Sequence, residues 1–258
     1  MAIEVAVSGS GKMGREVAAA VAGAPDMEFR GFIDALAPYD EVDDAPVYRS
    51  PGECFEAQSC DVVVDFTNAT FTPKLVEAAL AAGVRPVIGT SGLPSEWVEQ
   101  LRQTCAKQKT GAVLAANFAI GAVLMMQFAK QAAPFFDNVE IIELHHDQKV
   151  DAPSGTAMMT AEMMRAARSS RFTHPDTERY TLEGSRGAEY EGIAIHSVRL
   201  RGLVAHQEVL MGAVGQTLTI RHDSTGRDSF MPGVLLAVRE VMHRDSLTVG
   251  LESLLGIG

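Results

Sequence analysis

Apolar residues in the first half of the chain fall into short, nearly continuous runs, each followed by a turn and then by a stretch with helical spacing. Such runs suit strands buried on both faces, and the helices suit crossovers between parallel neighbours. Ile3–Val7, Glu28–Ile33, Val62–Thr67, Pro86–Ile88 and Gly111–Ala115 read as the strands. Arg15–Ala22, about Thr72–Ala82 and residues 95–108 read as helices between them, with Pro73 in a first turn where its missing N–H does no harm. The alternation predicts an α/β domain with a doubly wound parallel sheet, whose ligands bind beyond the carboxyl ends of the strands. Residues 36–60 are rich in prolines, acids and turn formers and read as irregular.

The pattern changes after residue 118. Residues 119–133 are apolar nearly all round (Ile120, Val123, Leu124, Met125, Met126, Phe128) and read as a buried connecting helix. Val139–His146 reads as a strand, 154–168 as a helix, and a polar loop runs on to about residue 190. Strands follow at about Ile193–Arg201, Ala205–Gly212 and Gln216–His222. Strands outnumber helices here, which predicts an α+β unit with an open mixed sheet. The outer face of such a sheet needs a cover, and a second copy of the chain is the simplest one. Asp228–Arg239 reads as a capped amphipathic helix that returns to the first domain. Residues 1–118 with 228–258 are therefore expected to form one domain and 119–227 another. The tail beyond Asp245 shows no pattern.

Composition narrows the function classes. Apolar residues make up 47% of the 258 positions, enough for a real core, and the net charge of −11 speaks against a nucleic-acid partner. A local cationic pocket for an anionic substrate remains compatible with that charge. Cys54, Cys60 and Cys105 are odd in number and lack metal-ligand spacing, so they read as reduced thiols and no metal is expected. The chain enters its first strand without a signal-peptide pattern, and no apolar run reaches membrane-spanning length. A cytoplasmic protein with no membrane partner is the expectation.

Between the first strand and first helix stands Gly9-Ser10-Gly11-Lys12-Met13-Gly14, a G-x-G-x-x-G sequence. Gly9 suits a tight turn, Gly11 lets a pyrophosphate approach the backbone, Gly14 lets helix and strand pack closely, and the helix start favours the anion. The second strand ends at Asp34, 20 residues after Gly14, where an acid hydrogen-bonds an adenosine ribose. This makes the first domain a Rossmann-like, dinucleotide-binding one. A carboxylate at Asp34 repels the 2′-phosphate of NADPH, and Ala35 supplies no arginine clamp. NADH is therefore the expected preference, with NADPH tolerated through Lys12. Phe66-Thr67, Gly89-Thr90-Ser91 and Ala115-Ala116-Asn117-Phe118 also lie at strand ends and read as parts of the same cofactor site.

The densest chemistry lies at Glu143–Ala157, ELHHDQKVDAPSGTA. Side chains alternate across a strand, so if the strand persists to its end His145 and His146 point to opposite sides and have different jobs. One could donate a proton and the other bind, or one could be structural. Lys149 adds a cation for a substrate carboxylate or for proton transfer. Pro153 suits a helix boundary, and Ser154 is a natural N-cap that is expected, with Gly155 and Thr156, to hold a carboxylate at the helix start. Gly155 and Thr156 would then present free N–H groups and a hydroxyl at that start, and plain capping is the alternative.

That same stretch closely resembles the 4-hydroxy-tetrahydrodipicolinate reductase (dihydrodipicolinate reductase) family. VSGSGKMGR at 7–15, VDFT at 64–67, IGTSG at 88–92, AANF at 115–118 and RLRGLVAHQEV at 199–209 extend the resemblance over nearly the whole chain. It implies NAD(P)H-dependent hydride transfer to a cyclic imine dicarboxylate in lysine and diaminopimelate biosynthesis, and a homotetramer. It implies His145 and Lys149 as an acid/base pair, His146 as a substrate contact, and Gly155 and Thr156 as holders of a substrate carboxylate. The loop is one residue shorter than in many members, and Val204-Ala-His206-Gln replaces a commoner Val-Gly-Glu-His, so His206 is given no role. Another two-domain nicotinamide oxidoreductase, such as an amino-acid dehydrogenase, would explain the glycine loop and Asp34 but not the paired histidines and the SGT helix start. A non-catalytic dinucleotide sensor would need no Lys149.

Overall fold

The computed structural model describes residues 1–257, which divide into two compact units. The first spans Met1–Ile120 together with the segment from Phe230 onward, and the second spans Gly121–Ser229.

The first unit opens with β1 (Ile3–Ser8), α1 (Lys12–Ala22), β2 (Met27–Ile33), β3 (Glu41–Val42), β4 (Ala45–Tyr48) and α2 (Pro51–Ala57). It continues through β5 (Val62–Asp65), α3 (Thr72–Ala81), β6 (Arg85–Ile88), α4 (Ser95–Gln108) and β7 (Ala112–Leu114). The second unit holds nearly all of α5 (Ile120–Ala132), then β8 (Asn138–His145), α6 (Gly155–Ala166), β9 (Ala188–Tyr190), β10 (Ile193–Arg199), β11 (Ala205–Ala213) and β12 (Gln216–Ser224). The chain then completes the first unit with α7 (Met231–Val241), β13 (Leu247–Val249) and α8 (Glu252–Leu255).

The first unit's sheet has the order β13-β7-β6-β5-β1-β2-β4-β3 and is parallel throughout except for β3 against β4. β1 pairs with both β2 and β5, so the strand order reverses beside it, which is where ligands bind in such sheets. Helix α1 covers the sheet with the stripe Gly14, Val17, Ala18 and Val21. Each valine buried there stabilises the unit by roughly 1.5–3 kcal/mol. At the carboxyl edge the strands end level: Ser8 is the register partner of both Ile33 and Asp65, Asp65 of Ile88, and Ile88 of Leu114. Gly9 N–H donates to Ile33 O at 2.8 Å, Gly89 N–H to Asp65 O at 2.8 Å, and Ala115 N–H to Ile88 O at 3.0 Å. These bonds carry the row one residue further, so Gly9, Asp34, Phe66, Gly89 and Ala115 line a single edge.

The structure corrects the reading of residues 36–60 as irregular. β3 and β4 form a hairpin around Asp43 and Asp44, both at positive φ, and β4 extends the sheet beside β2. Two left-handed central residues make the primed turn that fits strand twist, and aspartate tolerates that region well enough to replace the usual Asn-Gly. Helix α2 begins with a capping box, Ser50 accepting from Glu53 N–H and the Glu53 carboxylate accepting from Ser50 N–H, with Pro51 in the first turn. The patternless tail also contains structure, because β13 pairs in parallel with β7. Only Leu247 of its residues is buried, and a three-residue edge strand is too short to show a period.

The second unit's sheet, in the order β12-β11-β8-β10-β9, is mixed as expected: β8 and β10 are parallel and the other pairs antiparallel. One face carries Val139, Ile141, Ile193, Ile195, Val209 and Met211, packed with Ala129 of α5 and Ala157, Ala161 and Met164 of α6. Ile142, Leu144 and Leu210 alternate with those core residues and so lie on the other face, half-buried. The helix at 119–133 is not buried all round: Phe128 is exposed, because α5 packs on its unit through one side. No helix among the described residues is long and apolar enough to cross a membrane.

Candidate active site

The carboxyl edge of the first unit's sheet is set by the level strand ends. Gly9 turns the chain at φ +91°, where glycine alone is unstrained. A Cβ on Gly14 would lie 1.8 Å from Gly9 O, so only glycine lets α1 start this close to β1. A Cβ on Gly11 would meet nothing within 4 Å, leaving an open approach to the loop. Lys12 and Met13 open α1, with Lys12 exposed. Ser10, 1% exposed, gives both its hydroxyl (2.6 Å) and its N–H (2.9 Å) to Asp34 Oδ2, and Tyr39 Oη is 3.0 Å from the hydroxyl. Leu36 N–H donates to Asp34 Oδ1 at 3.1 Å. Burial works against the Asp34 charge, but the Ser10 and backbone donors outweigh it and hold the carboxyl below its usual range. A cleft of about 290 Å³ opens beside Asp34, lined also by Gly9, Thr67, Asn68, Phe71 and Lys74.

Behind the edge sits Asp65, fully buried and given no role in the sequence reading. Hydroxyls of Thr67 (2.6 Å), Thr72 (2.5 Å) and Thr90 (2.9 Å) all donate to it, and Thr67 N–H donates to Thr90 Oγ1 at 3.1 Å. One carboxylate thus fixes the turns after β5 and β6. A Cβ on Gly89 would fall 2.2 Å from the Phe66 ring, which stacks edge-on against Phe118 at 5.4 Å. Asn117 Oδ1 accepts from Ala119 N–H at 2.9 Å. Ala115 is buried, while Ser91 and Ala116 are exposed at the rim.

The second cluster lies at the end of β8. The period of two puts Glu143 and His145 on the core face with Val139 and Ile141. His145 Nδ1 is 2.5 Å from Glu143 Oε2. Arg199 grips the same carboxylate with two bonds of 2.7 and 2.9 Å, and Glu143 is fully buried. Burial opposes its charge, but the bonds from His145, Arg199 and Ser197 prevail and lower its pKa to about 2. Arg199 Nη2 also donates to Asp151 O at 2.6 Å, and Lys149 Nζ to Asp151 Oδ1 at 2.7 Å. His145 and Lys149 are therefore linked through Glu143, Arg199 and Asp151. His146 differs from the expectation: β8 ends at His145, so His146 sits in the following turn, exposed, and strand alternation does not set its direction.

The Ala152–Pro153 peptide is cis, and Ser154 caps α6 by accepting from Ala157 N–H at 3.2 Å. That bond leaves the N–H groups of Gly155 and Thr156 without a partner among the described residues. A Cβ on Gly155 would meet nothing within 4 Å. Among the described residues no group of three or more His, Cys, Asp or Glu side chains is arranged to hold a metal.

Acid should expose the Glu143 arrangement. Its folded pKa of about 2 lies below its ordinary value of 4.5. The bound charge therefore stabilises the fold above about pH 4.5, by roughly 3 kcal/mol, and that contribution disappears as pH falls toward 2. Urea midpoints of the wild type and Glu143→Gln should converge over that interval; a constant gap would contradict the assignment.

A level-ended parallel sheet in one unit and a buried Glu143–His145–Arg199 cluster at a strand end in another fit a two-domain, nicotinamide-dependent oxidoreductase. Comparison with known proteins narrows the class. Residues 3–118 match the family model described as dihydrodipicolinate reductase, N-terminus, and residues 121–255 match its C-terminus counterpart. The chain belongs to the dihydrodipicolinate reductase family. It is 50% identical over 266 residues to a 4-hydroxy-tetrahydrodipicolinate reductase of Geobacillus kaustophilus, covering 99% of this chain and 100% of that one. The corresponding protein of Streptococcus suis is 48% identical over 256 residues, again covering 99% and 100%. A solved dipicolinate-bound dihydrodipicolinate reductase from Paenisporosarcina sp. TG-14 superposes with TM-score 0.91 at 43% identity, covering 98% of this chain and 99% of that one. A scyllo-inositol dehydrogenase from Lactobacillus casei, at TM-score 0.64 and 13% identity over 99% of this chain and 93% of that one, shares the fold alone.

Proposed function

We propose that this chain reduces 4-hydroxy-tetrahydrodipicolinate (dihydrodipicolinate) to tetrahydrodipicolinate with NAD(P)H, in cytoplasmic diaminopimelate and lysine biosynthesis. The observation that carries the reading is the joined site at the end of β8. One buried carboxylate holds His145, and its arginine ties down the turn bearing Lys149. The open start of α6 follows directly in the chain.

Residues 1–118 with 228–258 hold the dinucleotide, and 119–227 hold the substrate. Gly9, Gly11 and Gly14 admit the pyrophosphate, with Ser10, Lys12 and Met13 shaping the loop. Asp34 binds the ribose. Phe66, Thr67, Gly89, Thr90, Ser91 and Ala115–Phe118 line the nicotinamide side. The bound nicotinamide supplies the hydride. His145 and Lys149 handle the proton, and the N–H groups of Gly155 and Thr156 together with the Thr156 hydroxyl hold a substrate carboxylate at the helix start that Ser154 caps. His146 adds a contact from the turn. No metal enters this scheme. The half-buried sheet face with Ile142, Leu144 and Leu210 is the surface through which a homotetramer forms.

Two measurements test these assignments. The Asp34 charge disfavours a 2′-phosphate, while Lys12 and the cleft's Lys74 compensate in part. The ratio kcat/KM should favour NADH with NADPH still used; a preference for NADPH of about tenfold or more would contradict the Asp34 argument. Dipicolinate titrated calorimetrically should bind the wild type and bind Thr156→Val about tenfold more weakly, one lost charge-assisted hydrogen bond. Equal affinity would remove the Thr156 hydroxyl from the substrate site.

A further inference from the structure

The mechanism names His145 but not what decides which of its nitrogens faces the substrate. An ionised carboxylate only accepts hydrogen bonds, so the nitrogen 2.5 Å from Glu143 Oε2 must carry a proton. That nitrogen is Nδ1, and Nε2 makes no hydrogen bond among the described residues. Glu143 is kept ionised by two bonds from Arg199, and Arg199 is itself held by the Asp151 carbonyl. Other charged groups around this point are Lys149 and Asp151 on the turn; on β11 the register partner of His145 is the uncharged Ala205.

We propose that Glu143 is a positioning residue that locks His145 as the Nδ1–H form, so that Nε2 exchanges the proton. Arg199 holds Glu143 to the turn of Lys149, so that both proton-handling groups share one anchor. Glu143 contacts neither substrate nor cofactor and acts through the imidazole. In the imidazolium both nitrogens carry protons; Nε2–H passes its proton to the substrate that receives the hydride, and the ring is left neutral with Nδ1–H still donating to the Glu143 carboxylate. The arrangement follows the general logic in which a buried acid orients a catalytic histidine.

The inference rests on the reading of His145 given above, and the experiment separates the two. Steady-state kinetics are compared for the wild type, His145→Ala, Glu143→Gln and the double variant. Glu143→Gln should lower kcat by about 10²-fold and leave the KM for NADH within about twofold. In the His145→Ala background the same change should cost less than about threefold, because the residue it acts through is gone. Costs that multiply would mean a merely structural Glu143 and would overturn the inference. Full turnover in His145→Ala would instead overturn the reading of His145. Selective ¹⁵N-histidine labelling of the wild-type protein needs no variant to fold. It should show His145 with Nδ1 protonated, and an Nε2–H, Nδ1-bare ring would equally overturn the inference.

Discussion

The His145→Ala enzyme is expected to turn over about 10²–10³ times more slowly than the wild type, with its KM for NADH within about twofold. The magnitude is that of losing the proposed proton-handling group when a hydride adds and negative charge builds on the substrate. The split follows from the fold: His145 ends a strand of the second unit, while the glycine loop and Asp34 belong to the first. Steady-state kinetics at saturating cofactor check this, and unchanged turnover would remove histidine from the mechanism.

Gly14→Ala is expected to damage both stability and cofactor use. Its Cβ would stand 1.8 Å from Gly9 O and 2.9 Å from Gly9 C, both backbone atoms with no rotamer to escape into. Helix α1 would have to retreat from β1, and overpacking of this kind costs about 1–3 kcal/mol. At this chain length that corresponds to a Tm lower by about 2–12 °C. The retreat drags the glycine loop with it, so the KM for NADH should rise about tenfold or more. Gly11→Ala separates the two effects. Its Cβ meets nothing within 4 Å in the protein, so Tm should hold, while KM should rise as the methyl enters the space proposed for the pyrophosphate. Equal Tm for wild type and Gly14→Ala would contradict the close helix–strand approach.

The parallel sheet was legible because each strand is short, apolar and followed by a turn. The hairpin at Glu41–Tyr48 was not, since its turn is Asp43-Asp44 and its strands bury only Val42 and Val47. The start of α2 was legible in principle, because Ser50, Pro51 and Glu53 spell a capping box within a segment that otherwise looked like loop. The residues of the β8 stretch were readable, but the partner that organises them was not. Arg199 lies 56 residues from Glu143 in sequence, and the parallel pairing of β8 and β10 brings them together. Glu143 could have been singled out as an acid on the core face two residues before His145. Asp65 could have been too, as an acid closing the run Val62-Val-Val64. The strand was read one residue too long, through His146, because periodicity does not say where a strand stops.

The central claim is that this chain reduces the dihydrodipicolinate synthase product at the end of β8. The most direct measurement is NADH oxidation by the purified protein when that product is generated in the same cuvette. Oxidation should depend on the synthase and its substrates, be inhibited by dipicolinate in competition with the product, and fall away in His145→Ala. NADH loss that proceeds equally without the synthase, or an absence of turnover in a protein that binds NADH, would contradict the account.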